Sequence, residues 1–389
     1  MFLSALQKQN PRLIDSAIAL WQAGKILPDT YVIDVDQVLE NGKKLVACAK
    51  QHSLSLYIMG KQFGRNPYLC RELLKLGFDG IVAVDYKEAR QYYRHHLPVA
   101  HVGHLVQCPT MMLQQIIKNK PQVMTVYSLE KAAQISQVAQ KLNITQPIML
   151  KICTPQDIFY QGQESGFLLT ELPDTLKKIN ALANIRVVGV THFPCLLADL
   201  STNSPDGITT TPNFNSLLQA ANILQNNQCE LTQINAPSLT CCASIPLLKN
   251  GGATHAEPGH ALAGTIPINQ NGEQPEKVAM LYLSEISHHF DQHSYCFGGG
   301  YYPRGHLENA LVGQTLQPSK MLPFEVGNID YHLVLDGIFP IGAPVVMCFR
   351  TQIFVTRSDV ALISHDSNGN PELIGIFDSQ GNARESALC

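Results

Sequence analysis

Apolar residues along this chain fall into short runs separated by longer amphipathic stretches. Eight runs stand at 56–60, 80–84, 99–103, 123–127, 148–152, 187–190, 232–234 and 254–256. Between most of them lies a segment with helical spacing, such as 67–76, 129–142 and 214–224. Short apolar strands alternating with helices mean parallel strands joined by crossover helices. Eight such units predict a TIM (β/α)8 barrel; a doubly wound open sheet has the same local pattern. Upstream, Asn10-Pro11 reads as an N-cap and first-turn proline, followed by Leu13, Ile14, Ala17, Ile18 and Trp21 at helical spacing and by a terminating Gly24. Residues 31–35 read as a strand, and Asp36 as the cap of a helix through Leu39, Leu45, Val46 and Ala49.

The period changes after the polar, turn-rich stretch 268–278. Beyond it, 279–286, 332–335, 345–349, 352–355, 360–363 and 372–377 read as short strands, with Asn368-Gly369 as a hairpin turn between the last two. The expected organisation is an N-terminal helix and strand (1–35) packing with a C-terminal β-rich domain (268–389), around an α/β barrel at 36–267.

Composition narrows the function. A formal charge of −3 offers no basic excess for a nucleic acid. No run approaches the ~18 apolar residues of a membrane span. The first residues mix Lys8, Gln9 and Asn10 with apolar ones and offer no cleavage site, so a cytoplasmic location is expected. Eleven cysteines without a Cys-x-x-Cys pair fit reduced thiols, and Cys153, Cys195, Cys241 and Cys242 read as buried ones. Only 15% of residues are charged, against roughly 25% in average soluble domains. That deficit predicts surface covered by a cofactor, a partner subunit or both.

Barrel chemistry comes from the C-terminal ends of the strands. Lys61, His104, Lys151, His192, Asn235 and Glu257 fall there. Lys61 ends the first barrel strand, where desolvation lowers an ammonium pKa and makes the amine nucleophilic toward a carbonyl. A Schiff base with pyridoxal phosphate is the evident use; a solvated strand terminus is the plainer reading. Glu257, in Glu257-Pro258-Gly259-His260, closes the eighth strand. It reads either as the partner of a pyridinium nitrogen or as a solvated turn residue. His192 reads either as a ring stacked on a cofactor or as a hydrogen-bonded structural residue.

Lys61 after the first strand, Thr191-His192-Phe193 after the sixth and a proline-glycine turn after the eighth resemble the fold-type III pyridoxal-phosphate enzymes, the alanine racemase-like proteins. The stretches 60–67, 102–107 and 297–304 are most similar to the YhfX group of that superfamily. The resemblance implies pyridoxal 5'-phosphate on Lys61, which acts as one acid/base, with His192 beside the ring. It implies phosphate binding by the loop Asn235-Ala236-Pro237-Ser238-Leu239-Thr240 together with Gly259-His260. Hydroxyls and backbone N–H groups there suit an anion. It also implies an amino-acid substrate and a homodimer whose second subunit covers the barrel mouth.

The chain departs from alanine racemases at three places. Their ring nitrogen faces an arginine, whereas Glu257-Pro258-Gly259 resembles the decarboxylases of basic amino acids and diaminopimelate, although those end the motif in arginine rather than His260. After Lys151-Ile152-Cys153, Glu164 stands about where a positioning arginine would be, reading as a recogniser of a second substrate amine or as a solvated loop residue. Phe297-Gly298-Gly299-Gly300-Tyr301-Tyr302-Pro303-Arg304 aligns on its last three residues with the racemase motif that carries the second acid/base, and Gly298 occupies the catalytic tyrosine's position. Tyr301 or Tyr302 is then the substitute. His288, His289, Asp291 and His293 read as a polar surface turn or a metal site, with spacing that matches no standard zinc pattern. The expected function is a racemase or epimerase acting at Cα. A decarboxylase and a non-catalytic pyridoxal-phosphate-binding protein are the alternatives.

Overall fold

The computed structural model describes residues 1–201, 207–325, 327–350 and 352–384. They divide into two compact units. One takes Leu45–Gly60 and Cys70–Gly259; the other takes Met1–Lys44, Lys61–Leu69 and the chain from His260 onward.

The chain begins with α1 (Leu3–Gln9), α2 (Pro11–Gln22), β1 (Thr30–Asp34) and α3 (Val35–Gln51). Helix α2 starts at the proline as expected, but Asn10 does not cap it. The Asn10 amide donates instead to Asp34 Oδ2 at 2.9 Å and to the Val278 carbonyl. The cap of α3 is Asp34 rather than Asp36, since Asp34 Oδ1 accepts from the Gln37 N–H at 3.1 Å. Asp34 ends an extended strand, the backbone state an N-cap requires, while Asp36 is already helical.

The first unit is the barrel. In chain order its strands are β2 (Ser55–Met59), β3 (Gly80–Ala83), β4 (Val99–Val102), β5 (Val123–Val126), β6 (Gln146–Cys153), β7 (Phe167–Leu168), β8 (Ile185–Thr191), β9 (Leu196–Ala198), β10 (Ile208–Thr210), β11 (Gln233–Asn235) and β12 (His255–Ala256). They are separated by α4 (Pro67–Leu74), α5 (Tyr86–Arg94), α6 (Leu113–Lys118), α7 (Leu129–Leu142), α8 (Leu172–Asn180), α9 (Pro212–Asn226) and α10 (Ile245–Asn250). Strands β2 to β6, β8, β11 and β12 are all parallel and close on themselves through β5–β6 and β12–β2. Closure excludes the open doubly wound sheet. The short β7 pairs in parallel with the end of β6, and β9 pairs with β10 in the loop after β8.

Inside the barrel, Val123, Met149 and Val188 form an apolar cluster. Beside this cluster in the sequence register, Tyr57 Oη accepts from Gln233 Nε2 at 2.9 Å and donates to Gln122 Oε1 at 3.0 Å. Side chains two residues apart on a strand share a face. One step toward the C-terminal ends therefore brings Thr125, Lys151, Asn235 and Glu257 to the positions that follow Val123, Met149, Gln233 and His255. The interior changes from apolar to ionisable within one step, which is the working end of such a barrel.

The second unit is a β-rich domain of β13 (Met280–Phe290), β14 (His293–Phe297), β15 (Asn309–Val312), β16 (Gln317–Lys320), β17 (His332–Asp336), β18 (Pro344–Met347), β19 (Asp359–His365) and β20 (Pro371–Phe377). Its sheet runs β16-β15-β18-β13-β1-β19-β20, with β14 and β17 continuing off β13. Strand β1 lies between β13, antiparallel, and β19, parallel. Phe2, Leu6 and Leu13 of the N-terminal helices pack with Leu281, Val346 and Ala361 in one core. The expected strand at 352–355 is a 3-10 turn, Ile353–Val355. At the β19–β20 hairpin, Asp366 Oδ1 accepts from the N–H groups of Asn368 and Asn370, and Gly369 takes the left-handed conformation. Cys195 and Cys241 are buried as expected, whereas Cys153 and Cys242 are half-buried. Among the described residues, no helix is long and apolar enough to cross a membrane.

Candidate active site

Glu257 follows β12 directly, and its side chain is fully buried. Oε1 accepts from His101 Nδ1 at 2.6 Å and from Asn235 Nδ2 at 2.9 Å. On its other side the His101 ring meets Thr125 Oγ1, 2.6 Å from Nε2. His104 Nε2 lies 3.9 Å from Oε2, which is buried and has no hydrogen-bond partner among the described residues. Burial pushes this carboxyl up, but the charges of His104 and His101 and the hydrogen bonds from His101 and Asn235 win, holding it down at about 2. An ionised carboxylate with one oxygen satisfied and the other bare fits the N–H of a protonated ring. The donor set fits one tetrahedral zinc less well. Ligands at ~2.0 Å from such an ion stand about 3.3 Å apart, and the His101–Glu257 pair is closer than that.

His192 follows β8. The Phe193 N–H donates to its Nδ1 at 2.8 Å, so the ring proton sits on Nε2, which donates to Asp157 Oδ2 at 2.7 Å. Both side chains are buried. Asp157 also accepts from the Thr154 N–H and from Ser216 Oγ. Burial raises its pKa, but these donors together with His192 pull it below the ordinary value. His192 is thus a ring locked in orientation, with Phe159 5.8 Å away between ring centroids.

Ser238 Oγ accepts from the N–H groups of Cys195 and Leu196, leaving its own proton to donate. Thr240 Oγ1 is engaged on both sides: it donates to Pro237 O and accepts from the Glu257 N–H. Asn235, expected in the phosphate loop, turns its amide to Glu257 instead. Lys151 Nζ donates to Gln163 O and Ser165 Oγ and lies 4.9 Å from the centre of the Tyr127 ring. Burial lowers its pKa to about 8, against the pull of Cys153 and Glu164. Glu164 itself is exposed.

In the β-rich unit, Lys61 lies in the turn Gly60–Phe63 that continues β2 along the chain. Its Nζ is 5.8 Å from the centre of the Phe354 ring, and the Arg65 guanidinium is 5.0 Å from the same ring. His260 is half-buried, and Arg350 Nε donates to its Nε2 at 3.3 Å. Burial, then the charges of Arg350 and Lys61, drive its pKa well below the ordinary value, so the ring is neutral.

Tyr301 donates to the Pro303 carbonyl, and its ring lies 4.7 Å from that of Phe324. Tyr302 is half-exposed. The glycines before them are demanded by packing. A Cβ on Gly298 would stand 2.1 Å from the Asp330 carbonyl oxygen, and one on Gly299 would stand 2.1 Å from Asp29 Oδ2. The histidines at 288, 289 and 293 belong to the β13–β14 hairpin, turned by Asp291 and Gln292, both at positive φ. His288 stacks on Tyr295, and His289 bonds the Phe339 carbonyl. Among the described residues these side chains do not converge on a metal-sized point.

Two features escaped the sequence reading. His101 is one step before a strand end, and Asp157 lies in an insertion after β6. Neither carries a local motif, although Asp157 falls six residues after Lys151, a strand-end position already marked.

Residues 33–267 match the alanine racemase N-terminal domain family, and residues 281–373 match the YhfX-like C-terminal domain. The chain is 52% identical over 387 residues to the uncharacterized protein YhfX of Escherichia coli (strain K12), covering 98% of this chain and 99% of that one. Among solved structures it is similar to D-threo-3-hydroxyaspartate dehydratase from Delftia sp. HT23, with a TM-score of 0.65, 14% identity and coverage of 88% and 96%. Similar too are D-threonine aldolase from Filomicrobium marinum (0.66, 12%, 90% and 94%) and alanine racemase from Clostridium difficile 630 in complex with cycloserine (0.63, 17%, 90% and 98%). The chain belongs to the alanine racemase-like family, and within it to the YhfX-like branch.

Proposed function

We propose that the protein is a pyridoxal 5'-phosphate-dependent enzyme acting at Cα of an amino acid, as a racemase or epimerase. The observation that carries this reading is Glu257, buried and ionised at the C-terminal end of the barrel with Oε2 bare. When bound, the cofactor supplies an electron sink for the pair left on Cα, and a protonated ring nitrogen deepens that sink. Glu257 accepts the ring N–H. The fixed ring of His192 would lie against one face. Ser238 Oγ–H and the backbone at Gly259 and His260 meet the phosphate. Lys61 carries the cofactor and moves the Cα proton on one face. Tyr301 or Tyr302 of a second copy moves it on the other. Phe290, Ile329, Tyr331 and Ile341 of the β-rich unit are 63–69% exposed, an apolar set suited to such a second copy.

A decarboxylase is the second reading, because the ionised Glu257 serves any reaction that leaves an electron pair on Cα. The test incubates purified protein, cofactor and a panel of L- and D-amino acids. Because two structural relatives are named for D-3-hydroxy compounds, the panel includes D-3-hydroxy amino acids. Chirality, carbon dioxide, aldehyde and ammonia are assayed separately. Loss of optical activity without the other three is expected. Carbon dioxide release with chirality retained overturns the racemase in favour of the decarboxylase. The bound cofactor's visible band is expected to bleach with borohydride and to be absent in Lys61→Ala; an unchanged band in that variant refutes the role of Lys61.

A further inference from the structure

A buried carboxylate is stable only when its oxygens are met by donors. Glu257 meets this requirement unequally, and the inequality has a consequence for strand β4. An ionised carboxylate accepts only, so His101 Nδ1 is the donor at 2.6 Å. That leaves His101 Nε2 facing Thr125 Oγ1, also at 2.6 Å. A threonine hydroxyl donates or accepts by rotating. In either orientation Thr125 satisfies Nε2 and holds the ring with its Nδ1–H on Glu257. The other titratable groups around the pair are His104 after β4, His255 on β12 and Tyr57 on β2. Burial lowers His255 to about 4 and raises Tyr57, so both are neutral near pH 7. Two carboxylates act on these rings, Glu257 on His101, His104, His255 and Tyr57, and Asp79 on His255 and Tyr57.

Resting on the cofactor reading above, we propose that His101, held by Thr125, is a positioning residue. It keeps Glu257 ionised and aimed, and through Glu257 it keeps the cofactor's ring nitrogen protonated. It touches neither cofactor nor substrate; it acts on the carboxylate that does. The arrangement makes the charge of the ring nitrogen a property of three side chains in series, Thr125, His101 and Glu257, from β5, β4 and the end of β12. Groups that orient a primary ligand in this way typically change affinity or activity by about 10–100-fold when removed.

The experiment compares wild type with His101→Leu, His101→Asn and Thr125→Val, using thermal melts to confirm folding. In cofactor-free protein, proton NMR is expected to show a far-downfield imidazole N–H from His101, absent in both His101 variants and shifted in Glu257→Gln. Titration of pyridoxal phosphate, followed by protein fluorescence, is expected to give about 10–100-fold weaker binding in His101→Leu. The visible band of that variant is expected to become pH-dependent between pH 6 and 9, where the wild-type band is constant. Asparagine places an amide N–H near the position of Nδ1, so His101→Asn is expected to recover affinity and band together. Thr125→Val, which removes the partner of Nε2 and loosens the ring, is expected to fall between. Folded His101→Leu with wild-type affinity and a constant band overturns the proposal while leaving the cofactor reading standing. Failure of His101→Asn to recover the folded protein's band also overturns it. Wild type that binds no pyridoxal phosphate overturns both.

Discussion

Replacing Glu257 by glutamine removes a charge while keeping the side-chain shape, and the consequence is calculable for acid stability. In the folded chain the carboxyl is held at about 2, against an ordinary value of 4.5. A group whose pKa is depressed by folding contributes stability that is complete above the unfolded value and lost as pH falls through the folded one. At pH 3.5 the unfolded carboxyl is mostly protonated and the folded one is still ionised. Integrating that difference in proton binding from pH 6 to 3.5 gives about 1.4 kcal/mol, rising to about 3 kcal/mol below pH 2. Urea unfolding of cofactor-free protein, measured across pH 6 to 3.5 for wild type and Glu257→Gln, reads this directly. Wild type is expected to lose about 1.4 kcal/mol more than the variant over that window. The substituted amide still offers an oxygen to His101 and Asn235, so the comparison isolates the charge. Parallel curves for the two proteins would refute the reasoning, because they would mean that the folded carboxyl titrates normally and is not held by its histidines.

Two further outcomes are expected. Lys151 has the opposite sign: its folded pKa is about 8 against 10.5 unfolded, so the unfolded chain binds the extra proton and stability rises with pH between those values. Lys151→Met is expected to flatten that rise in urea melts, and an unchanged slope would exclude a depressed lysine. The exposed apolar set of the β-rich unit is expected to be covered by a second copy; light scattering should report a dimer that Ile329→Glu with Ile341→Glu converts to monomer, and a monomeric wild type would remove the partner-borne tyrosine from the mechanism.

The barrel was legible because its signal is periodic: each short apolar run is a buried parallel strand, and each stretch between is long enough for a crossover. Glu257 and His192 stood out because a polar residue directly after an apolar strand has few other uses. Their partners were not legible. His101 lies 156 positions from Glu257, and Asp157 lies 35 from His192. Only closure of the barrel brings the first pair together, and no local pattern encodes closure. The β-rich unit was read less fully. Strands β14, β15 and β16 are short, and β16 is mostly exposed, so their alternation is hard to distinguish from loop. The run at 352–355 has strand composition but forms a 3-10 turn, with Ile353 alone buried among its three turn residues.

The row Gly298-Gly299-Gly300 limits where a second proton donor can stand. By its resemblance to the racemase motif, position 298 is where the tyrosine that serves the second face of Cα would be expected. Here the backbone of Asp330 already fills the space where even a first side-chain carbon would go. Placing a tyrosine there would need the 330 segment to withdraw first. Any proton donor for the second face of Cα must therefore stand elsewhere, which leaves the positions just beyond the row, Tyr301 and Tyr302, to supply it.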